Sequence, residues 1–483
     1  MMGMLRMVPV VVGGLLLTLM PGCDADVPRP VLIQMSPSST IPAQEIPVTI
    51  TGENFRVAVR SSLDGESGGV VDDTFAAQLG AMPLDSVVLV DETTLRATVP
   101  AGMDPGEYPL SITDPNGQVA ELPAAFVVCG RSQADDCWLL PECEYRISLT
   151  FDRVVSTEDL LDMPVLVRLT PERVDYDQIA ADGADLRFLD PEGAVSLDHE
   201  IERWEEGGES NIWVRVPQID RDTGTDRIWM YHGCSSEGPY NPQGVWGPPY
   251  RGVWHFSGTP DDSTAGSHHG APSNAQEIDD SGQTVVAGAT QFTGQPNSYI
   301  SVADDPDLAV LDDLTLSVWL NYDSLTAGAY RNAILTRGGS PGNPPATGNY
   351  PYWLNIESGG RLRAYWEFDD NGFVDIVSAT PANSSPGTWY HVVAVRDSSA
   401  KDVTFYLDGA PLGEPVAYDD HPTDGLEGIL YFGRSARSPD YEFAGRLDEM
   451  RIVATARSAA WVAAQYATTL DNFISYGSPE SKP

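Results

Sequence analysis

The chain has 483 residues, 42% of them hydrophobic, and a formal net charge of −42 from 70 acidic and 28 basic side chains. That length suits roughly three domains of about 100–200 residues each, and that charge argues against a nucleic-acid partner, because phosphate contacts need clustered Lys and Arg. With Gly 45 and Pro 38, the composition is that of a turn-rich all-β chain, whose acidic surface suits divalent cations or serves solubility alone.

Residues 1–23, MMGMLRMVPVVVGGLLLTLMPGC, carry one cation, Arg6, followed by an apolar run ending near Met20. The run is short for a bilayer span and fits a secretory signal peptide. MPGC resembles a bacterial lipobox ending in Cys23, although Met20 and Pro21 depart from its commonest form. The resemblance implies an exported, membrane-anchored lipoprotein of the cell envelope, with lipid on Cys23 and DADVPRP as a polar tether. Either leaflet is open. The alternative is a cysteine discarded with the signal peptide.

Residues 31–128 form the first module. In PVTITGENF, Val48 and Ile50 alternate with Thr49 and Thr51, the pattern of a half-buried strand, and Phe55 follows the Gly52–Asn54 turn as an apolar anchor. Short strands then recur between turns at Pro105-Gly106 and Asn116-Gly117, as in a β-sandwich. ITGENF, TTLRATVPAG, GEYPLSITDPNG and FVV resemble an IPT/TIG immunoglobulin-like domain, which implies a spacer or an adhesive module.

The linker 129–143 holds Cys129, Cys137 and Cys143, and Cys234 follows later. Four cysteines in an exported chain predict two disulfides, with three possible connectivities. The favoured set is Cys129–Cys137 as a local loop and Cys143–Cys234 as a staple. No CxxC and no histidine pair supports zinc there.

Residues 144–250 form a second β-rich module. Ile212, Val214 and Val216 alternate with Trp213 and Arg215. DGADLRFLDPEG, HEIERW and IWVRVP resemble a bacterial domain family of unknown function that commonly precedes laminin-G-like domains. The family's usual asparagine after its YxG element is replaced by Cys234, which supports a local disulfide. On a strand His199 faces away from Glu200 and Glu202, which argues against a metal site among the three.

Residues 252–478 form the third module. Leu314, Leu316, Val318 and Leu320 alternate with Thr315, Ser317 and Trp319, and Trp389, His391, Val393 and Val395 share a face. Asp408-Gly409 predicts a tight hairpin, and Ser458 predicts the N-cap of a short helix, SAAWVAAQY. In GRLDEMRIVATARS, strict alternation places Asp448 with Met450 and Ile452, opposite Leu447, Glu449, Arg451 and Val453. LSVWLN, GTWYHVVAVRD, VTFYLDG, YFGRS and GRLDEMRI resemble a laminin-G-like, concanavalin A-like jelly roll. The resemblance pairs this last strand with the distant VWHFSG segment.

Such domains often hold one calcium ion, and the resemblance makes Asp262 and Asp448 its candidate ligands. Otherwise Asp262 stabilises a turn and Asp448 accepts backbone hydrogen bonds. Laminarinase-type glycoside hydrolases share the fold and need two carboxyls about 5–5.5 Å apart for retention. Their ExDxxE strand is approached only by 367–372, where Gly372 replaces the last carboxylate. Trp353, Tyr365 and Trp366 could stack on sugars or pack the sheet. No GxSxG, HExxH or phosphate loop occurs. The expectation is an all-β, non-enzymatic surface lipoprotein binding a glycan or a surface protein. The alternatives are a laminarinase-like enzyme and a purely structural envelope protein.

Overall fold

The computed structural model describes residues 28–40, 45–60, 70–129, 138–140, 142–152, 156–190, 196–221, 224, 226–279, 283–328, 330–338, 350–368, 372–379, 382, 384–419, 428–435 and 441–482. The chain divides into two compact units, with the boundary between Val128 and Cys129. Among the described residues no helix is long and apolar enough to cross a membrane.

The first unit is a sandwich of two sheets. One orders its strands Val31–Ser36, Ile46–Glu53, Thr94–Val99 and Asp85–Asp91; the other is built on the Gly106–Thr113 and Val119–Val128 pair. Val48 and Ile50 point into the core with Leu95, Leu110 and Phe126, as alternation requires. Gly52 lies beneath Phe55, where a Cβ would sit 2.5 Å from the ring and 2.1 Å from a backbone oxygen. Only glycine lets the ring settle there.

The second unit contains two modules that share elements. The earlier module has a sheet ordered Arg187–Leu189, Arg227–Cys234, Cys143–Thr150 and Ser475–Tyr476, and a second sheet ordered Leu160–Leu169, Ser210–Ile219 and His199–Arg203. Two features of the first of these sheets were not local in sequence. Its edge is completed by the C-terminal tail, and its core takes in Trp461, Ala464, Phe473 and Ile474 from the C-terminal helix and tail. That helix, Ala459–Thr469, starts at Ser458, whose hydroxyl accepts from Trp461 N at 3.1 Å. Cys143 and Cys234 are cross-strand neighbours joined by a disulfide. Cys129 is also disulfide-bonded, and Cys137 lies outside the described residues.

The later module is a two-sheet jelly roll. A nine-stranded sheet has Ala444–Val453 near its centre, between Leu314–Ser324 and Ala289–Thr293, with Tyr250–Trp254 also paired to it. Trp254 lies opposite Met450, so the entry and exit strands run side by side. A seven-stranded sheet closes the sandwich over Leu316, Leu354, Phe432 and Met450. Asp408 and Gly409 both take positive φ, 50° and 77°, in the hairpin turn.

The two modules meet face to face. The Ser210–Ile219 strand buries Ile212 and Val214 in its own core, and its neighbour Trp213 packs with Leu166, Trp246, Val253, Val286 and Val453. A sheet covered on both faces explains why this strand is almost continuously buried.

Candidate functional site

The seam between the modules holds charges that an apolar interface would not tolerate unpaired. A β-bulge builds it. Ser317 pairs with Arg451 and Trp319 with Asp448, so Glu449 and Met450 together face one residue, Val318. Glu449 takes φ 52°, the left-handed region, a conformation that costs a non-glycine residue about 1–3 kcal/mol. Leu447, Met450 and Ile452 fill the core, while Asp448 and Glu449 both turn toward the seam. Strict alternation put Leu447 with Glu449 and Asp448 with Met450; the extra residue reverses that.

Three strands deliver the cluster. Glu200 and Glu202 come from His199–Arg203, His255 follows Tyr250–Trp254, and Glu449 and Arg451 lie on Ala444–Val453. His255 Nδ1 is 2.7 Å from Glu449 Oε1 and 3.6 Å from Glu202 Oε2, and its Nε2 is 3.3 Å from Glu200 Oε2. The other positions on the carboxylates are held as well. Arg451 donates to Glu449 Oε2 at 2.6 Å, Trp213 Nε1 to Glu202 Oε2 at 2.8 Å, and Ser263 to Glu200 Oε1 at 2.7 Å. Ser257 donates to Glu202 and Trp246 to Glu200. Trp213 stacks on His255 at 5.9 Å, and the Arg451 guanidinium lies 4.5 Å from the Trp213 ring.

The electrostatics follow from burial among opposite charges. Burial disfavours a charged His255, yet Glu449, Glu202 and Glu200 outweigh it and raise its pKa well above the ordinary imidazole value. Burial pushes Glu202 up to about 7, with His255 pulling down and Glu449 adding to the rise. Burial also acts on Glu449, but His255 and Arg451 bring it below the usual carboxylate value. Asp448 is fully buried; burial and then the nearby Glu449 and Glu202 hold its carboxyl well above the usual range. Glu202, His255 and Glu449 offer ligand atoms that all lie within 4.8 Å of one another.

The residues expected to hold calcium, Asp262 and Asp448, occupy separate hydrogen-bond sets. Asp262 Oδ1 accepts from the N–H groups of Val253 and Thr264, at 2.9 and 3.0 Å. Its Oδ2 accepts from Thr264 Oγ1, His268 N and His268 Nδ1, at 2.8, 2.8 and 3.1 Å. Burial opposes ionisation of Asp262, but the His268 contact and these backbone N–H groups bring its pKa below the usual value. Asp448 Oδ2 accepts from Val285 N and Val286 N, both at 3.1 Å. Calcium needs ionised oxygens with free lone pairs. Asp262 is filled by hydrogen donors and Asp448 lies in a different hydrogen-bond set, so the structure does not bring the two carboxylates to a shared ion. The loop-stabilising and backbone-accepting roles describe both residues.

His199 does face away from Glu200 and Glu202, packing against Phe188 and Tyr240. The histidine that joins the two glutamates is His255, which sequence reasoning passed over. Its signal was a charged residue inside each of three apolar strand motifs, HEIER, VWHFSG and LDEMR. Cys23 lies outside the described residues.

A second surface lies on the outer face of the seven-stranded sheet. Trp366 points into the core, whereas Trp353 and Tyr365 point outward beneath Tyr330 and Tyr441. Phe373, 58% exposed, stacks on Tyr365 at 5.7 Å, and Tyr365 meets Trp353 edge-on at 5.7 Å. Polar groups border this row. Arg363 bonds Asp375 and lies 4.7 Å from the Tyr330 ring, Tyr330 donates to Asp375 at 2.9 Å, and Tyr365 donates to Glu367. Residues 369–371 lie outside the described residues.

Three family matches lie along the chain in the same order as the modules. Residues 30–128 match the IPT/TIG domain, 182–265 the domain of unknown function DUF2341, and 293–463 the concanavalin A-like lectin/glucanases superfamily. The chain therefore carries an IPT/TIG domain, a DUF2341 domain and a concanavalin A-like domain, in that order. No curated protein matches the chain. Among solved structures, the binding domain of Paraclostridial Mosquitocidal Protein 1 is similar at 16% identity and TM-score 0.36, over 46% of this chain and 52% of that one. This chain thus spans about half the length of that one. Domain 4 of the arabinanase AbnA from Geobacillus stearothermophilus, solved with arabinotriose, aligns at 16% identity and TM-score 0.33, over 44% of this chain and 96% of that one. The CBM40 of Ruminococcus gnavus IT-sialidase, bound to sialyllactose, aligns at 15% identity and TM-score 0.31, over 37% and 96%.

Proposed function

We propose that this protein is a non-enzymatic binding protein of the cell envelope, exported and lipid-anchored, whose concanavalin A-like domain recognises a glycan on the outer face of its seven-stranded sheet. The observation that carries the reading is Phe373, left in water at the end of a buried aromatic row. Such a ring offers the apolar face of a sugar a platform fixed by its neighbours. Arg363, Asp375 and Glu367 lie alongside to meet hydroxyl groups, the combination of flat apolar contact and few oriented polar groups that small-ligand sites use. The charged seam serves this surface from below by joining the sandwich to its neighbouring module. Lipid anchoring rests on the MPGC segment alone.

Binding is favoured over cleavage by how the carboxylates among the described residues of this surface are used. Asp375 is engaged by Arg363 and Tyr330, and Glu367 by Tyr365, whereas glycoside hydrolysis uses a pair, one proton donor and one nucleophile or base. A glycan array probed with the protein, run beside reducing-sugar release on the same polysaccharides, tests the reading. Capture without turnover supports it. Turnover abolished by Glu367→Gln overturns it in favour of an enzyme, and silence across the array from a folded protein favours a purely structural envelope role.

A further inference from the structure

The geometry points to a divalent transition-metal site, zinc in the first instance, at the seam between the DUF2341 and concanavalin A-like modules, with His255 Nδ1, Glu202 Oε2 and Glu449 Oε1 as its ligands. The three atoms lie within 4.8 Å of one another, with Nδ1 2.7 and 3.6 Å from the two oxygens. Around a tetrahedral zinc with bonds of about 2.0–2.1 Å, ligand atoms stand about 3.3 Å apart. Small side-chain adjustments would therefore admit the ion where a hydrogen bond now runs.

The surroundings are those of ligands already oriented. Metal-binding histidines usually donate their second ring N–H to a carboxylate, and His255 Nε2 has Glu200 at 3.3 Å. Glu200 is fixed in turn by Ser263 and Trp246. Glu449 is held through its other oxygen by Arg451, and Glu202 by Ser257. An independent observation lies on the same bulge. Asp448 Oδ1 is buried with no hydrogen-bond partner among the described residues, within electrostatic reach of Glu202 and Glu449.

A way in exists. A cleft of about 350 Å³, lined by Glu202, Arg203, Glu205, Ser257, Glu277 and Asp279, opens beside the cluster; Arg203 pairs with Glu205 and Asp279 there, leaving Glu202 and Glu277 as its other carboxylates. One imidazole with two carboxylates selects a borderline first-row ion over calcium, which takes oxygen ligands in larger number. Because Glu202 lies on a sheet of the earlier module and Glu449 on the jelly-roll sheet, the ion would clamp the two together. The assignment is independent of glycan binding.

The test uses the full chain, its cysteines alkylated with disulfides intact, stripped with chelator and then titrated with zinc. The expected result is uptake of one zinc per chain, a rise in melting temperature that calcium and magnesium do not reproduce, and a visible absorption band when cobalt is substituted. His255→Gln and Glu202→Gln should each weaken zinc at least about 100-fold, and Glu200→Gln, which removes only the support of the ligand, about 10–100-fold. If His255→Gln fails to fold, Glu202→Gln, which keeps the side chain's shape, decides. A folded protein that takes up no zinc, a response to calcium alone, or zinc affinity unchanged in Glu202→Gln would each overturn the assignment.

Discussion

The Nε2 of His255 lies 3.3 Å from Oε2 of Glu200, a contact that joins the end of the Tyr250–Trp254 strand of the jelly-roll sheet to the His199–Arg203 strand of the preceding module. On its other side the same ring meets Glu449 at 2.7 Å. One imidazole therefore stands between carboxylates of two sheets, flanked by the rings of Trp213 and Trp246.

Truncating that ring should be costly. His255→Ala leaves Glu202 and Glu449 buried without their shared partner, and removing one member of a buried pair costs about 3–5 kcal/mol. Urea unfolding followed by tryptophan fluorescence checks this, with Arg251→Ala, a partly exposed residue of the Tyr250–Trp254 strand paired to Asp307, as the milder comparison. A loss under about 1 kcal/mol would mean the seam charges are not coupled.

The C-terminal helix and tail should be indispensable to the module that precedes the jelly roll. Phe473 packs against Phe151 at 5.7 Å, and Trp461 and Ile474 sit in the same core. Phe473→Ala should cost about 3–5 kcal/mol, and ending the chain at Ser458 should expose the Cys143–Thr150 strand. Limited proteolysis should then cleave between 144 and 234 while the IPT/TIG module survives as a separate unit.

Acid should destabilise the protein through His391. The ring is 1% exposed, and neither nitrogen has a hydrogen-bond partner among the described residues. Burial, with Arg451 adding to it and Glu449 opposing, lowers its pKa from 6.5 to about 3. The unfolded chain therefore binds this proton more readily than the folded one. The neutral ring's contribution is whole above pH 6.5 and is lost as pH falls toward 3, at up to about 1.4 kcal/mol per pH unit. His391→Phe should flatten that part of the stability–pH curve, and an unchanged slope would contradict the assignment.

Losing the Cys143–Cys234 bond should matter because it spans 91 positions. Chain-entropy reasoning gives about 4–5 kcal/mol for a loop of that size. Thermal melts of Cys234→Ser against the parent protein measure it.

Fold class and module order were legible because alternation, turn residues and the Asp408-Gly409 hairpin are local signals. The junction was not, for two physical reasons. The bulge at Glu449 adds one residue without a glycine to mark it, and a single inserted residue exchanges the faces of everything on one side of it. The partners of Glu200 and Glu202 also lie on other strands and loops, His255 and Ser257 each 55 positions on from one of them, and strand periodicity shows which face a carboxylate takes but not what it meets there. The same limit applies to the helix after Ser458. Its N-cap was visible, but the core it fills belongs to the module before the jelly roll.

The most direct test of glycan recognition is a titration of oligosaccharides captured on the array against the parent protein and a Tyr330→Ala/Phe373→Ala variant, with circular dichroism confirming that both are folded. The account predicts affinity at least about tenfold weaker in the variant, a loss of about 1.4 kcal/mol or more. Equal affinity in the two proteins would place the binding surface elsewhere and contradict it.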